Sequence, residues 1–127
     1  MKRLVVREWF ERGRKDLEVT KILVKEEYLD IALFHMHQAV EKYLKGFLIS
    51  KGWKLKRVHD LEMLITETIN FGADLQSYLD FGRRLTSFYY EERYPPGPVS
   101  PRPKEEVEGM LETAVRTITR IKELTTS

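Results

Sequence analysis

Residues 35–48 read HMHQAVEKYLKGFL. Two histidines, a glutamate and two lysines crowd together, so the stretch is either a catalytic or metal box or the seam of a helical bundle. Helix geometry separates the two. Each residue advances about 100°, which sets His35 and His37 about 200° apart. One ion cannot take both from a regular helix, because ligands there sit three or four residues apart. Leu33, Met36, Val40, Leu44, Phe47 and Leu48 fall on one side. His37 lies at the edge of that face with Glu41 four residues on, within pairing reach, and His35 lies on the polar side with Lys42. The stretch therefore reads as a packing seam. Its helix runs over about Asp30–Lys51 and is closed by Gly52 as a left-handed C-cap.

The same spacing recurs on both sides. Val6, Phe10, Gly13, Leu17 and Val24 line one helical face, widened by Trp9 and Leu23, and Gly13 permits close helix approach. A basic connector, WKLKRVH, follows Gly52. Asp60 then reads as the N-cap of a short helix carrying Leu61, Leu64, Ile65 and Ile69. Gly72 ends it, and Asp74 is placed to cap a helix with Leu75, Tyr78, Leu79, Phe81, Leu85 and Phe88. All five prolines lie in PPGPVSPRP at 95–103, an extended loop. Pro103 is expected in the first turn of a last helix, followed by Glu105 and Glu106 at its positive end. There Val107, Leu111, Ala114, Ile118 and Ile121 form a seam. Strand signals are nearly absent. The expected fold is all-α: one domain over 1–127, an up-and-down bundle of four long helices plus one short helix.

Composition narrows the function classes. The chain has 127 residues, 42% of them apolar, and no cysteine, which excludes disulfides and thiolate metal sites. No run approaches the roughly 18 apolar residues of a membrane span. The basic start, MKRLVVREWFERGRKD, has no apolar core of signal-peptide length behind it. A cytoplasmic protein without membrane contact is expected. Net charge is +2 but uneven: Lys42, Lys45, Lys51, Lys54, Lys56 and Arg57 precede His59 with no acid among them, and five acids follow from Asp60 to Asp80. That arc is either a solvated helix end or a surface for an anionic partner.

Two groups bear chemistry. His59-Asp60 is cap chemistry, or a histidine facing an anion from the end of the basic connector. Arg83 and Arg84, followed by Tyr89, Tyr90, Arg93 and Tyr94, are rim-of-core residues, or a phosphate grip with stacking faces. A glycine-rich phosphate loop and a two-metal carboxylate cluster are both missing, so no cofactor and no metal are expected.

Three segments in order, HQAVEKYLKGFLISKGW, VHDLEML and SFYYEERYP, resemble the HEPN domain family. Members typically read Gln-Ala-x-Glu-Lys-x-x-Lys in the second helix, then His-Asp-Leu after a connector, then Arg-Tyr-Pro. Here these are Gln38-Ala39, Glu41-Lys42, Lys45, His59-Asp60-Leu61 and Arg93-Tyr94-Pro95. The resemblance implies a four- to five-helix bundle, often a homodimer. It also implies a minimal nucleotidyltransferase as the partner of small prokaryotic members, in toxin–antitoxin-like pairs. Other members are metal-independent ribonucleases with Arg-x(4–6)-His. That motif is missing here, since Arg57 stands only two residues before His59. The implied function is a nucleotide- or RNA-binding module using Lys45, Arg57, His59, Arg83, Arg93, Tyr90 and Tyr94. The alternatives are a ribonuclease with an irregular His/Arg site and a pure dimerisation or interaction protein. An up-and-down path is expected to bring the end of the second helix, the start of the third and Tyr89–Tyr94 to one rim of the bundle.

Overall fold

The computed structural model describes residues 2–93 and 102–126, with only the backbone at 2, 91–93 and 126. Five helices follow in order: α1 Lys2–Lys25, α2 Leu29–Ser50, α3 Leu61–Asn70, α4 Leu79–Arg93 and α5 Lys104–Thr126, with a single 3₁₀ turn at Gln76–Tyr78 before α4. The fold is an all-helical up-and-down bundle, as the periodicity predicts. The proline-rich stretch 95–101 lies outside the described residues.

Helix α2 is the hub. It is apolar on most of its circumference, with Ala32, Leu33, Met36, Ala39, Val40, Tyr43, Leu44, Phe47 and Leu48 all buried. A helix that is apolar nearly all round must be covered on every side, and α2 packs against each of the other four. Its approach to α1 is close at two glycines. A Cβ at Gly13 would sit 2.8 Å from the Tyr43 ring, and one at Gly46 would sit 2.6 Å from the Phe10 ring. Both distances lie well inside carbon–carbon contact.

The first three helices end in the same way. The amides of Gly52 and Trp53 donate to the carbonyls of Ile49 and Leu48, and those of Gly72 and Ala73 to Ile69 and Thr68. With Gly52 and Gly72 both at φ 92°, these are Schellman closures. The turn between α1 and α2 repeats the pattern, with Glu27 and Tyr28 donating to Val24 and Leu23, but Glu27 takes the left-handed position at φ 64°. A glutamate in that role carries no glycine signal, yet the expected start of α2 at Asp30 falls within one residue of the observed Leu29.

The connector 53–60 corrects the expected chain path. Its first amide is tied to the Leu48 carbonyl, whereas the His59 carbonyl accepts from His37 Nε2. Six residues thus return from the level of Leu48 to that of His37, about 16 Å along the α2 axis. A strand-like chain spans about 20 Å in six residues, so the connector runs nearly extended back along α2. Helix α3 therefore starts beside the middle of α2, and not at the end of the bundle where α2 finishes.

Two further expectations are corrected. Asp74 caps no helix; its carboxylate holds Arg120 of α5 through two bonds of 2.9 and 3.0 Å. Pro103 stands just before α5, its carbonyl accepting from Glu106 and Val107.

Candidate functional site

The start of α3 is pinned from two sides. Asp60 accepts from the Met63 amide at 3.2 Å, as an N-cap should. The Leu61 amide, buried, donates to Thr86 Oγ1 of α4 at 3.0 Å. His59 thereby has a fixed backbone beside both α2 and α4.

The middle of α2 supplies the other groups. Glu41 and Lys45 are 5% and 4% exposed, and Lys45 Nζ lies 3.0 Å from Glu41 Oε2. The two sit one helical turn apart on a face closed by the connector and by α1, whose Trp9 ring lies 6.0 Å from Nζ. The other carboxylate oxygen, Oε1, accepts from His59 Nδ1 at 3.0 Å. The His59 side chain is 46% exposed. No described residue hydrogen-bonds its Nε2. A buried, compensated carboxylate thus orients an accessible imidazole.

His37 lies beneath. It is fully buried, donates from Nε2 to the His59 carbonyl at 2.7 Å, and stacks on the Tyr89 ring at 4.1 Å. Burial pushes its imidazole down to about 4, against a smaller upward pull from Glu41. At neutral pH it is uncharged, and its Nδ1, 3.8 Å from Glu41 Oε1, makes no ion pair. With the proton on Nε2, that Nδ1 is a buried acceptor without a partner. His37 is thus a core residue rather than one at the core edge.

The candidates from sequence divide accordingly. His59, Lys45 and Tyr90 come together around Glu41 and Tyr89: the Tyr89 ring lies 5.9 Å from the His59 ring and 5.3 Å from that of Tyr90. Tyr90 is 45% exposed, whereas Tyr89 is buried. Lys45 is corrected from an anion contact to a buried counter-charge. Arg57 is exposed on the connector, as are Lys54 and Lys56. Arg83 is held apart, its guanidinium on Asp80 and 3.8 Å from Glu62. Arg93 ends α4, but its side chain, like all of Tyr94, lies outside the described residues. The meeting place is the flank of the bundle beside mid-α2.

Elsewhere, Asp16 of α1 takes both His35, at 3.1 Å, and Lys42. That cluster joins α1 to α2. Among the described residues, no group of three His, Cys, Asp or Glu could hold a metal ion, and no helix is long and apolar enough to cross a membrane.

Comparison with known proteins identifies the family and the fold. The model of the HEPN domain family matches residues 6–124. A crystal structure of an archaeal HEPN homologue is 24% identical, covers 94% of this chain and 97% of its own, and superposes with a TM-score of 0.75. A protein from Thermus thermophilus is 22% identical, with 97% and 98% covered and the same TM-score. No curated protein matches.

Proposed function

Because the chain belongs to the HEPN domain family, we propose that it is a single-domain, cytoplasmic binding module for the phosphates of a nucleotide or RNA. It acts with a minimal nucleotidyltransferase partner in a toxin–antitoxin-like pair, and as a homodimer. The observation that carries this reading is the exposed His59 imidazole, oriented by buried Glu41 at the end of an exposed cationic connector. Extended chain carrying Lys54, Lys56 and Arg57 offers an anion several donors with little masking acid; among the described residues, Lys56 alone of the three has an acid partner, Glu67 at 3.8 Å. Tyr90 supplies an accessible stacking face. Arg93 and Tyr94 are proposed to extend the grip from the end of α4. Lys45 compensates Glu41 from behind, and Arg83 stands at the margin.

The test is a titration of labelled single-stranded RNA into the wild type and into a double Arg57→Ala, His59→Ala variant. At least tenfold weaker binding with an unchanged melting temperature supports the site, and undiminished binding removes it. Co-expression with a minimal nucleotidyltransferase tests the partner: recovery of the chain alone would refute that part.

One observation favours a second reading. A carboxylate on Nδ1 is also how an imidazole is prepared for proton transfer, so metal-independent RNA cleavage through His59 is the competing proposal. His59-dependent cleavage in the presence of a chelator would establish it, and its absence would discard it.

A further inference from the structure

We infer that the outward face of α1 is a self-association surface, on which two copies of this chain pair their first helices antiparallel about a two-fold axis passing between Glu11 and Arg12. The inference rests on the homodimer of the reading above and deepens it by naming the face that forms it.

That face has no partner within the described chain. Val6, Gly13, Leu17, Thr20 and Val24 are buried on one side of α1, which packs chiefly along α2. At about 100° per residue, Leu4 and Ile22 lie almost opposite Val6 and Val24. They are 63% and 59% exposed, with Val5 and Val19 beside them at 45% and 37%. Exposed apolar side chains usually occur singly. Here they come in pairs at the two ends of the helix, with the exposed charges Glu8, Glu11, Arg12 and Lys15 between. Val5, Glu8, Trp9 and Arg12, together with Leu4, line a shallow hollow. The spacing of the first four is that of the hole which receives a side chain from a facing helix.

The order of residues selects the occupant. Two-fold pairing needs a patch that complements itself, so that residue i meets j and j meets i. Leu4 and Val19 stand equal steps either side of the point between Glu11 and Arg12, and so do Glu8 and Lys15. In an antiparallel pair centred there, Leu4 and Val5 of each copy meet Val19 and Ile22 of the other, and Glu8 faces Lys15. Parallel pairing in register would set Glu8 beside Glu8 and Lys15 beside Lys15. Glu11 and Arg12 flank the axis, each held within its own helix, by Arg14 at 2.8 Å and by Glu8 at 3.0 Å. A specific protein interface typically buries about 1,600 Å². One helix pair supplies less, so the dimer should dissociate on dilution.

Sedimentation velocity of the full chain, from micromolar to millimolar concentration, reads the assembly. The wild type should pass from monomer to dimer. Glu8→Lys and Lys15→Glu each set like charges across the axis and should weaken the dimer about tenfold or more. Combined, they restore opposite charges, and dimerisation should return. Within one helix the two positions lie about two turns apart, so the rescue reports contact between copies. The chain has no cysteine, which permits a second reading of the geometry. Oxidation of a Leu4→Cys, Val19→Cys double variant should link two copies covalently, whereas Leu4→Cys alone should stay unlinked. In one helix these positions are about 22 Å apart, too far for an internal bridge. A dimer indifferent to the charge reversals, or linked through Leu4→Cys alone, overturns the inference and leaves the homodimer standing. A chain monomeric at every concentration refutes the homodimer and this inference with it.

Discussion

His37 and His59 are joined by a 2.7 Å hydrogen bond from the ring Nε2 of one to the backbone carbonyl of the other. The partners differ in every other respect, since His37 is fully buried and the His59 side chain is nearly half exposed. Glu41 Oε1 lies near both rings, 3.0 Å from one and 3.8 Å from the other. The core therefore dictates the position of a surface group. That coupling makes the site sensitive to changes which never touch a ligand.

His37 gives stability a pH dependence. Burial lowers it from 6.5 to about 4 in the folded state. Above pH 6.5 it is neutral whether folded or unfolded and has no effect. Between 6.5 and 4 the unfolded chain takes up a proton that the folded state refuses, so stability falls as pH falls. Below 4 the loss levels off, at about 3 kcal/mol from the size of the shift. Denaturant unfolding from pH 8 to pH 4 should show a flatter profile for His37→Gln, whose amide still reaches the His59 carbonyl but does not titrate. Parallel profiles for the two proteins would contradict this.

Glu41 and Lys45 should be strongly coupled. Removing one partner strands a buried charge, which typically costs about 3–5 kcal/mol. Replacing both by leucine removes the pair together with its desolvation, and the double variant should be more stable than either single one. A double-mutant cycle by urea denaturation measures this, and additive single effects would count against a shared buried pair.

The close approach of α1 and α2 is testable at glycines. Gly46→Ala places a methyl against the Phe10 ring and should destabilise by about 1–3 kcal/mol, as overpacking does. Gly109 lies within α5, and a Cβ there meets nothing within 4 Å. Gly109→Ala should therefore stabilise by about 0.5–1 kcal/mol through helix propensity alone. Thermal melts of the two variants should move in opposite directions.

Arg57 should act as a generic phosphate contact. Arg57→Ala is expected to weaken binding to different RNA sequences by similar factors and to lower the salt slope by about one. A sequence-dependent loss would mean that Arg57 reads bases.

Most of the fold is written in the spacing of apolar residues. The seam of α2, the Asp60 cap and the closures at Gly52 and Gly72 all follow from residue types with strong local preferences. The first break between helices is less visible, because Glu27 does what a glycine usually does. The site is legible only in part. His59, Tyr90 and Lys45 stand out as chemistry, and their order along the chain matches a family pattern. The role of Lys45 does not, because a lysine on a helix looks alike whether it faces solvent or a buried glutamate. Nor does sequence reveal that the connector doubles back along α2. That depends on His37 in the core bonding to a backbone carbonyl, for which no local residue preference exists.

The most direct measurement is long-range ¹⁵N–¹H correlation of the three imidazoles during titration with single-stranded RNA. Before RNA is added, His59 should carry its proton on Nδ1 and His37 on Nε2. As RNA binds, the Nε2 resonance of His59 should shift while both nitrogens of His37 stay in place. A His59 ring whose resonances do not move while the RNA binds would contradict the account.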